Sequence, residues 1–181
     1  MATIHNTTLV PSKLELLTAW LPDQPWFRGS DAPHLVRSGG FRLDDPAGEV
    51  GMEILLVTDT SVADHLTYVV PLTYRGVHLD GAALVGTAAH GVLGIRYVYD
   101  APSDPVFVAQ LAALARGEVR AQAQSASDTV DDTVAVQGGG DAWQVNRIIT
   151  DTTGSGDVAG TMTAVWTAPD GSAHRGTVAW S

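Results

Sequence analysis

The sequence predicts an α+β fold, in which two helices pack on a mainly antiparallel sheet that continues into C-terminal strands and a hairpin. Two observations support this prediction. Apolar residues recur at helical spacing in two short stretches, whereas most other apolar stretches have the spacing of strands. The 181 residues are also sufficient to bury a substantial core, in one domain or in two closely packed lobes.

The first helix is predicted over residues 13–21 by a capping box. Ser12 can accept a hydrogen bond from a free backbone amide, and Glu15 stands three residues on and can reach back. The apolar stripe that would pack on the rest of the protein consists of Leu14, Leu16, Leu17, Trp20 and Leu21. Pro22 and Pro25 end the helix and predict an extended segment after it.

Two strands are predicted after this segment. Residues 66–75 alternate, which predicts a strand with one buried face, and Pro71 favours an edge or a bulge because it has no N–H group. Residues 52–58 are apolar on both faces, which predicts a more central strand. Residues 59–64 would join the two strands as an antiparallel hairpin.

The second helix is predicted over residues 105–116. Ser103 is the predicted N-cap, Asp104 lies at the positive end of the helix dipole, and Pro105 stands in the first turn. The helix would end at Gly117. Its buried stripe would consist of Phe107, Leu111 and Leu114.

Short strands are predicted in the C-terminal part. They span residues 133–137, 143–150, 160–168 and 174–180. The last two would form a hairpin, because the intervening Pro-Asp-Gly-Ser contains a glycine that can adopt a positive φ. A polar stretch at residues 122–132 suggests a boundary between a region 1–125 and a C-terminal strand region 126–181, packed together as one compact unit.

Composition excludes several classes of protein. There are 10 Lys and Arg against 20 Asp and Glu, and Lys13 is the only lysine, so we expect no nucleic-acid binding. No apolar run approaches the roughly 20 residues of a membrane span, and residues 1–10 lack the pattern of a signal peptide. We therefore expect a cytoplasmic protein without membrane contact. The absence of cysteine excludes disulfides and thiolate metal sites.

No catalytic constellation stands out in the sequence. Asp141 and Asn146 have the spacing of a kinase catalytic loop, but Gly139 stands where a histidine is required and no lysine follows Lys13. The six histidines show no metal-binding spacing. The sequence thus leaves enzymatic activity open while favouring its absence, and it predicts no catalytic residue, no cofactor and no metal site.

Two motifs carry a family resemblance. The run Trp20-Leu-Pro-Asp-Gln-Pro-Trp-Phe-Arg-Gly29 resembles the opening motif of the N-terminal cap domain of actinobacterial maltokinases. The stretch from His90 to Asp100, which runs into Asp104 and Pro105, is similar to a helix entry of the same cap. The resemblance covers about residues 10–125. It implies a curved antiparallel sheet with a helix packed on it.

Two departures from the family motif limit what it implies. Pro25 stands where the kinases usually have arginine, and Ser30 where they have lysine. The sequence also lacks the His-Gly-Asp catalytic loop of the kinase core. The resemblance therefore implies a non-catalytic interaction or regulatory module linked to glycogen or trehalose metabolism, which contacts a protein partner or forms a homodimer. A small-molecule or sugar-binding protein is one alternative, and an accessory part of a sugar phosphotransferase completed by another chain is a second.

The same motifs supply the candidate residues. Those predicted to bind a ligand or partner are Trp26, Arg28, His90, Arg96 and Tyr99. Those predicted to maintain the motif structurally are Trp20, Pro22, Phe27, Asp100, Asp104 and Pro105. Adjacent side chains on extended backbone point in opposite directions, so we expect Phe27 to anchor in the core while Trp26 and Arg28 border a contact surface.

Overall fold

The computed structural model describes residues 9–126, 128–140, 142–150 and 158–181. Its described strands form one open antiparallel sheet of twelve strands, with one helix on each face. The predicted α+β class with a mainly antiparallel sheet and two helices is therefore confirmed.

The helices are α1 (Lys13–Trp20) and α2 (Pro105–Ala115), and single turns of 3-10 helix lie at Leu21–Asp23 and Ala101–Ser103. The strands are β1 (Leu9–Val10), β2 (Leu35–Leu43), β3 (Gly51–Asp59), β4 (Thr67–Arg75), β5 (Leu84–His90), β6 (Gly94–Asp100), β7 (Gln122–Ala123), β8 (Ala135–Gly138), β9 (Gln144–Val145), β10 (Ile148–Ile149), β11 (Gly160–Thr167) and β12 (Ala173–Trp180). The sheet order is β1-β5-β6-β4-β3-β2-β11-β12-β9, with β10 beside β4, β7 beside β2 and β8 beside β11.

The capping box that starts α1 is confirmed. The Ser12 hydroxyl accepts a hydrogen bond from the Glu15 amide at 3.3 Å, and the Glu15 carboxylate accepts one from the Ser12 amide at 2.7 Å. The helix ends at Trp20, one residue earlier than predicted, because the chain tightens into the 3-10 turn that contains Pro22. Leu16 and Leu17 of α1 are buried against one face of the sheet.

Strands β3 and β4 form the centre of the sheet. The central position of β3 is confirmed, since it pairs with β2 on one side and β4 on the other. The prediction that β4 buries only one face is wrong. Tyr68 and Val70 pack against the α1 face, and Val69 on the opposite face is fully buried as well, because α2 and the C-terminal strands cover that side.

Pro71 lies within β4 at a position that needs no N–H donor. On the β3 side it is in register with Ile54. On the other side, β10 pairs with β4 up to Tyr68 and β6 pairs from Leu72 onward, so no described strand faces Pro71 there. The Val69 amide donates to the Arg147 carbonyl on that side, and the Pro71 nitrogen, two residues later, points the same way. Pro71 thus lies in a central strand, but at a local gap in the pairing of β4 where its missing N–H group costs no hydrogen bond.

The N-cap of α2 is Asp104, and the prediction of Ser103 is wrong. The Asp104 carboxylate accepts a hydrogen bond from the Val106 amide at 3.0 Å, with Pro105 in the first turn as predicted. Ser103 belongs to the preceding 3-10 turn, where its hydroxyl donates to the Asp100 carbonyl and accepts from the Ala83 amide.

The rest of α2 agrees with the sequence pattern. The predicted stripe of Phe107, Leu111 and Leu114 is buried. Gly117 follows the helix with a φ of +72°, as expected of a residue that ends a helix.

The C-terminal strands differ from prediction at one place. The hairpin of β11 and β12 is confirmed, and Gly171 in its turn has a φ of +87°. Residues 143–150 do not form one strand: β9 pairs with β12, whereas β10 pairs with β4. Between them, Asn146 bonds through its backbone and side-chain amides to carbonyls of β12. This segment therefore links β12 to β4 across the core beneath α2.

A glycine bulge joins the C-terminal strands to the rest of the sheet. The register of β2 with β3 shifts between Arg37 and Gly39, and there β11 meets β2 through Trp166 opposite Gly39. Gly40 has a φ of +125°, and a Cβ there would lie 2.1 Å from the Ile54 carbonyl oxygen. This bend thus depends on glycine. In the part of the chain that the structure describes, neither helix has the length and apolarity that crossing a membrane requires.

We predict that the substitution Leu111→Ala lowers the free energy of unfolding by about 2–5 kcal/mol, because it empties a site that is buried under α2. Val108→Ala, on the exposed side of the same helix, is the matched control and should change the free energy by less than about 0.5 kcal/mol. Denaturant titration of both variants measures the difference. Equal losses in the two variants would show that this face of α2 contributes nothing specific to the core.

Candidate functional site

A cavity of about 730 Å³ opens at one end of the sheet, beside the start of α1. The turn between β2 and β3, the end of β4 and the tip of the β5–β6 hairpin form its other walls. The charged side chains that line it are Lys13, Arg42, Asp45, Glu49, Glu53, Arg75 and Arg96.

The sheet directs several of these side chains toward α1. Leu55, Leu72 and Val98 pack against the α1 face. Because side chains two residues apart in a strand share a face, Glu53, Tyr74 and Arg96 point to that face too. Arg42 is in register with Glu53 on the neighbouring strand and joins this row. The cavity is therefore the polar continuation of the apolar interface between α1 and the sheet.

Glu53 is the central acid of the cavity wall. It is 4% exposed, and the Lys13 ammonium lies 2.7 and 2.8 Å from its two carboxylate oxygens. The Tyr74 hydroxyl donates a hydrogen bond to the same carboxylate. Burial, and then the negative charge of Glu53, raise the pKa of Tyr74 well above its usual value. Tyr74 therefore remains a hydrogen-bond donor, and the charge of Glu53 is compensated on two sides.

Two arginines of the cavity have unused hydrogen-bonding capacity. Arg42 donates from Nε to the Ala123 carbonyl at 3.2 Å, but its Nη2 is buried without a partner. Arg96 donates from Nη2 to the Leu93 carbonyl, but its Nε is buried without a partner. Within the described ranges, neither guanidinium forms an ion pair with a carboxylate.

The cavity is less negative than the protein as a whole. Four cationic and three acidic side chains line it, but Arg75 is paired with Asp104 outside the lining, so the remaining charges balance, whereas the whole chain carries −10. Asp45 is occupied within its own turn, where it accepts hydrogen bonds from the Ala47, Glu49 and Val50 amides. The cavity is thus a neutral site on an acidic protein.

The structure places two of the predicted binding residues at this cavity. His90 and Arg96 both line it. The His90 Nδ1 accepts hydrogen bonds from the Val92 and Leu93 amides and so maintains the hairpin turn. Tyr99 lies elsewhere: it is fully buried and its hydroxyl accepts a hydrogen bond from the Leu79 amide at 2.8 Å. The binding roles of these residues stay predictions.

The predicted Trp26 and Arg28 lie outside the cavity: Trp26 belongs to an aromatic cluster, and the Arg28 amide donates to the Tyr68 hydroxyl of that cluster at 3.2 Å. Trp20 and Tyr68 lie 5.9 and 6.1 Å from Trp26 between ring centroids, and Phe27 lies 4.9 Å from Tyr68. The expected opposite orientation of Trp26 and Phe27 is not seen, because both rings pack on Tyr68 and both are partly buried. The chain turns here, with the Phe27 amide bonded to the Gln24 carbonyl at 3.0 Å, so the alternation of extended backbone does not apply.

Asp100 and Arg147 tie the C-terminal segment to this cluster. The Arg147 guanidinium donates to both Asp100 carboxylate oxygens, at 2.8 and 2.5 Å, and lies 4.7 Å from the centroid of the Trp26 ring. Its side chain is 18% exposed and that of Asp100 13%. The sequence identified Asp100 and Trp26 as motif residues but gave no indication of Arg147, which lies in a distant part of the chain.

On the α2 face of the sheet, Asp104 forms a similar ion pair, which connects α2 to β4. Its buried carboxylate caps α2 and accepts two hydrogen bonds of 2.7 Å from the Arg75 guanidinium. Burial acts to raise the pKa of Asp104, but Arg75 and the Val106 amide outweigh burial, so the pKa lies below its usual value. Asp104 is therefore charged at neutral pH and joins β4 to α2.

Sequence reasoning missed several residues of the cavity wall. Arg42, Tyr74 and Arg75 show no distinguishing local pattern. Glu53 did have one: it is a single acid within an otherwise apolar run, and a charge in a central strand requires a partner. Among the described residues, no three or more His, Asp or Glu side chains are placed to hold a metal ion. Asp141, considered above for its kinase-like spacing, lies outside the described residues.

Comparison with known families agrees with the suspected resemblance. Residues 20–104 match the family model described as the maltokinase N-terminal cap domain. No curated protein matches the chain. The matched residues include β2 to β6 and most of the cavity wall, and they end at Asp104, where α2 begins.

We predict that Arg147→Ala lowers the free energy of unfolding by about 2–3 kcal/mol, because it leaves the mostly buried Asp100 without its partner. Arg116→Ala is the matched control: it removes an arginine from an exposed pair with Glu118 and should leave the stability nearly unchanged. Chemical denaturation of both variants provides the comparison. A loss in Arg147→Ala no larger than that in the control contradicts a structural role for this pair.

We predict that the stabilisation contributed by Asp104 is lost in acid. Because its pKa is lowered in the folded protein, its contribution is complete above the unfolded pKa of about 4 and disappears as the pH falls through the folded value. The stability difference between wild type and Asp104→Asn should therefore be constant above about pH 5 and narrow below about pH 4. Unfolding curves measured across this range test the prediction, and a difference that widens in acid contradicts it.

Proposed function

We propose that the chain is a non-catalytic module that docks onto a catalytic protein of α-glucan metabolism. The premise is that residues 20–104 form a maltokinase N-terminal cap-like domain. The surface that supports docking is an apolar patch at the tip of the β5–β6 hairpin. This hairpin lies inside the matched residues.

The hairpin patch comprises Val10, Ala89, Val92, Leu93 and Ile95. Val10 is in register with Ala89, and Ala89 with Ile95, so these three side chains form a row across β1, β5 and β6. Val92 and Leu93 extend the patch at the turn. Val10 and Val92 are each 64% exposed and Ile95 is 57% exposed.

This concentration of apolar surface is the single observation that carries the proposal. Isolated exposed apolar residues are common on soluble proteins, whereas a contiguous group indicates an interaction site. The adjacent edge of β5 adds a second means of contact. β1 covers β5 only at Ala89 and His90, and no other described strand pairs with its outer edge, so its backbone groups there can pair with another chain.

We propose the nucleotide lobe of a maltokinase-type enzyme as the occupant. The matched family model is that of the N-terminal cap domain of maltokinases. A cap that stands next to a kinase lobe needs an apolar contact surface on that side, and the hairpin patch supplies one. A second copy of this chain is the competing occupant, and the experiment below distinguishes the two.

We predict that wild-type protein captures an α-glucan-metabolising enzyme from an extract of its native cells, whereas Ile95→Ser recovers at least about fivefold less of it. The serine hydroxyl replaces the largest apolar side chain of the row across β1, β5 and β6, which is 57% exposed. Val108→Ser is the matched control, because Val108 is similarly exposed, at 51%, but lies on α2. Mass spectrometry identifies and quantifies the captured enzyme.

Three results contradict the proposal. Equal recovery by Ile95→Ser and Val108→Ser would show that the patch is not the docking surface. Recovery of this chain alone, with a doubled mass by light scattering, would identify a homodimer instead. Hydrolysis of ATP by the purified chain would contradict its non-catalytic character.

A further inference from the structure

We propose that the cavity beside α1 binds an anionic, polyhydroxylated small molecule, of the chemical class of sugar phosphates and sugar carboxylates. This site is separate in role from the hairpin patch, and the inference does not rest on docking to a partner. Three features of the cavity carry it: two incompletely bonded arginines, a fixed polar wall between them, and its size.

The arginines select for an oxyanion. Arg42 and Arg96 line the cavity, and among the described residues neither guanidinium is paired with a carboxylate. The planar guanidinium presents paired donors that match the oxygens of a phosphate or a carboxylate. An oxyanion in the cavity would supply the negatively charged partner that the described residues do not.

The wall between the arginines suits hydroxyl groups. The Glu53 carboxylate is held by Lys13 and Tyr74, so its position is defined before any ligand arrives. Lys13 has three N–H donors, and its two contacts to Glu53 leave one for a ligand. The Lys13 side chain is 42% exposed and thus accessible from the cavity. Donors and acceptors fixed side by side are the arrangement that recognises a sugar hydroxyl.

The cavity is too large for an isolated small ion to fill it. Arg42 lies on β2 and Arg96 on β6, three strand spacings apart across β3 and β4, which is about 14 Å. Each guanidinium is held at its own end, Arg42 by the Ala123 carbonyl and Arg96 by the Leu93 carbonyl. The volume of about 730 Å³ lies within the range of small-molecule sites. A ligand with a sugar ring would fill the space between Arg42 and Arg96.

Titration calorimetry of the wild-type protein tests the chemistry of the ligand. The probes are glucose 1-phosphate and glucuronate, which carry the two kinds of oxyanion, and glucose and inorganic phosphate, which each lack one part of the proposed ligand. We expect at least one of the first two to bind at least tenfold more tightly than glucose and inorganic phosphate. Binding by neither anionic sugar, or equal binding of glucose or of inorganic phosphate, overturns the proposal.

Variants locate the site. Arg96→Gln and Arg42→Gln should each weaken binding at least tenfold, whereas Arg120→Gln, which removes an arginine from an exposed surface pair, should leave it unchanged. NMR chemical-shift mapping on the wild-type protein does not depend on variant folding, and it should show the largest changes at the Gly76 and Leu93 amides beside Arg96.

Unchanged affinity in both cavity variants, or shift changes confined to other surfaces, overturns the location. The partner-capture experiment separates the test of ligand binding from the test of the proposed docking function. Arg42→Gln, which lies on β2 and has no contact with the hairpin patch, should capture the partner as wild type does, so failure of ligand binding and failure of docking are distinguishable.

Discussion

Strands β3 and β4 are covered by α1 on one face and by α2 with the C-terminal strands on the other, so each polar side chain along them needs a partner within the protein. Most positions are apolar, and two of the charged exceptions form ion pairs, whereas the buried Asp59 accepts hydrogen bonds from the His34 and Ser61 amides. Glu53 is held by Lys13, and Arg75 by Asp104. Each of these pairs joins the central strands to a helix that covers them. The same burial that requires the pairs thus determines how the covering layers are attached.

The matched region depends on residues from outside it. Glu53 and Asp100 lie within residues 20–104, but their partners Lys13 and Arg147 do not. Lys13 comes from the helix that precedes the match, and Arg147 from the segment that links β12 to β4. The additional elements therefore complete the electrostatic pairing of the matched region as well as covering its faces. This explains why α2 and the C-terminal strands share one core with the matched strands.

The cavity lies where this double covering stops. Beyond the start of α1, the row of side chains on the sheet continues without a helix above it, and Arg42 and Arg96 remain incompletely bonded there. Leu93 contributes to the wall of the cavity and also to the hairpin patch. The two proposed surfaces are consequently adjacent, and a ligand held by Arg96 would lie next to the turn that is proposed for docking.

The sequence by itself determined the features that depend on neighbouring residues: the capping box of α1, the stripe of α2, the glycine that ends it, and the β11–β12 hairpin. The two motifs also indicated the similarity to the maltokinase N-terminal cap domain and included His90 and Arg96, which line the cavity. Only the tertiary structure decided that both faces of β4 are buried, since an alternating pattern that includes Thr67 and Thr73 does not reveal a second covering layer. It also decided the pairs of Glu53 with Lys13 and Asp100 with Arg147, 40 and 47 residues apart, because such charges are brought together by the sheet and not by local sequence.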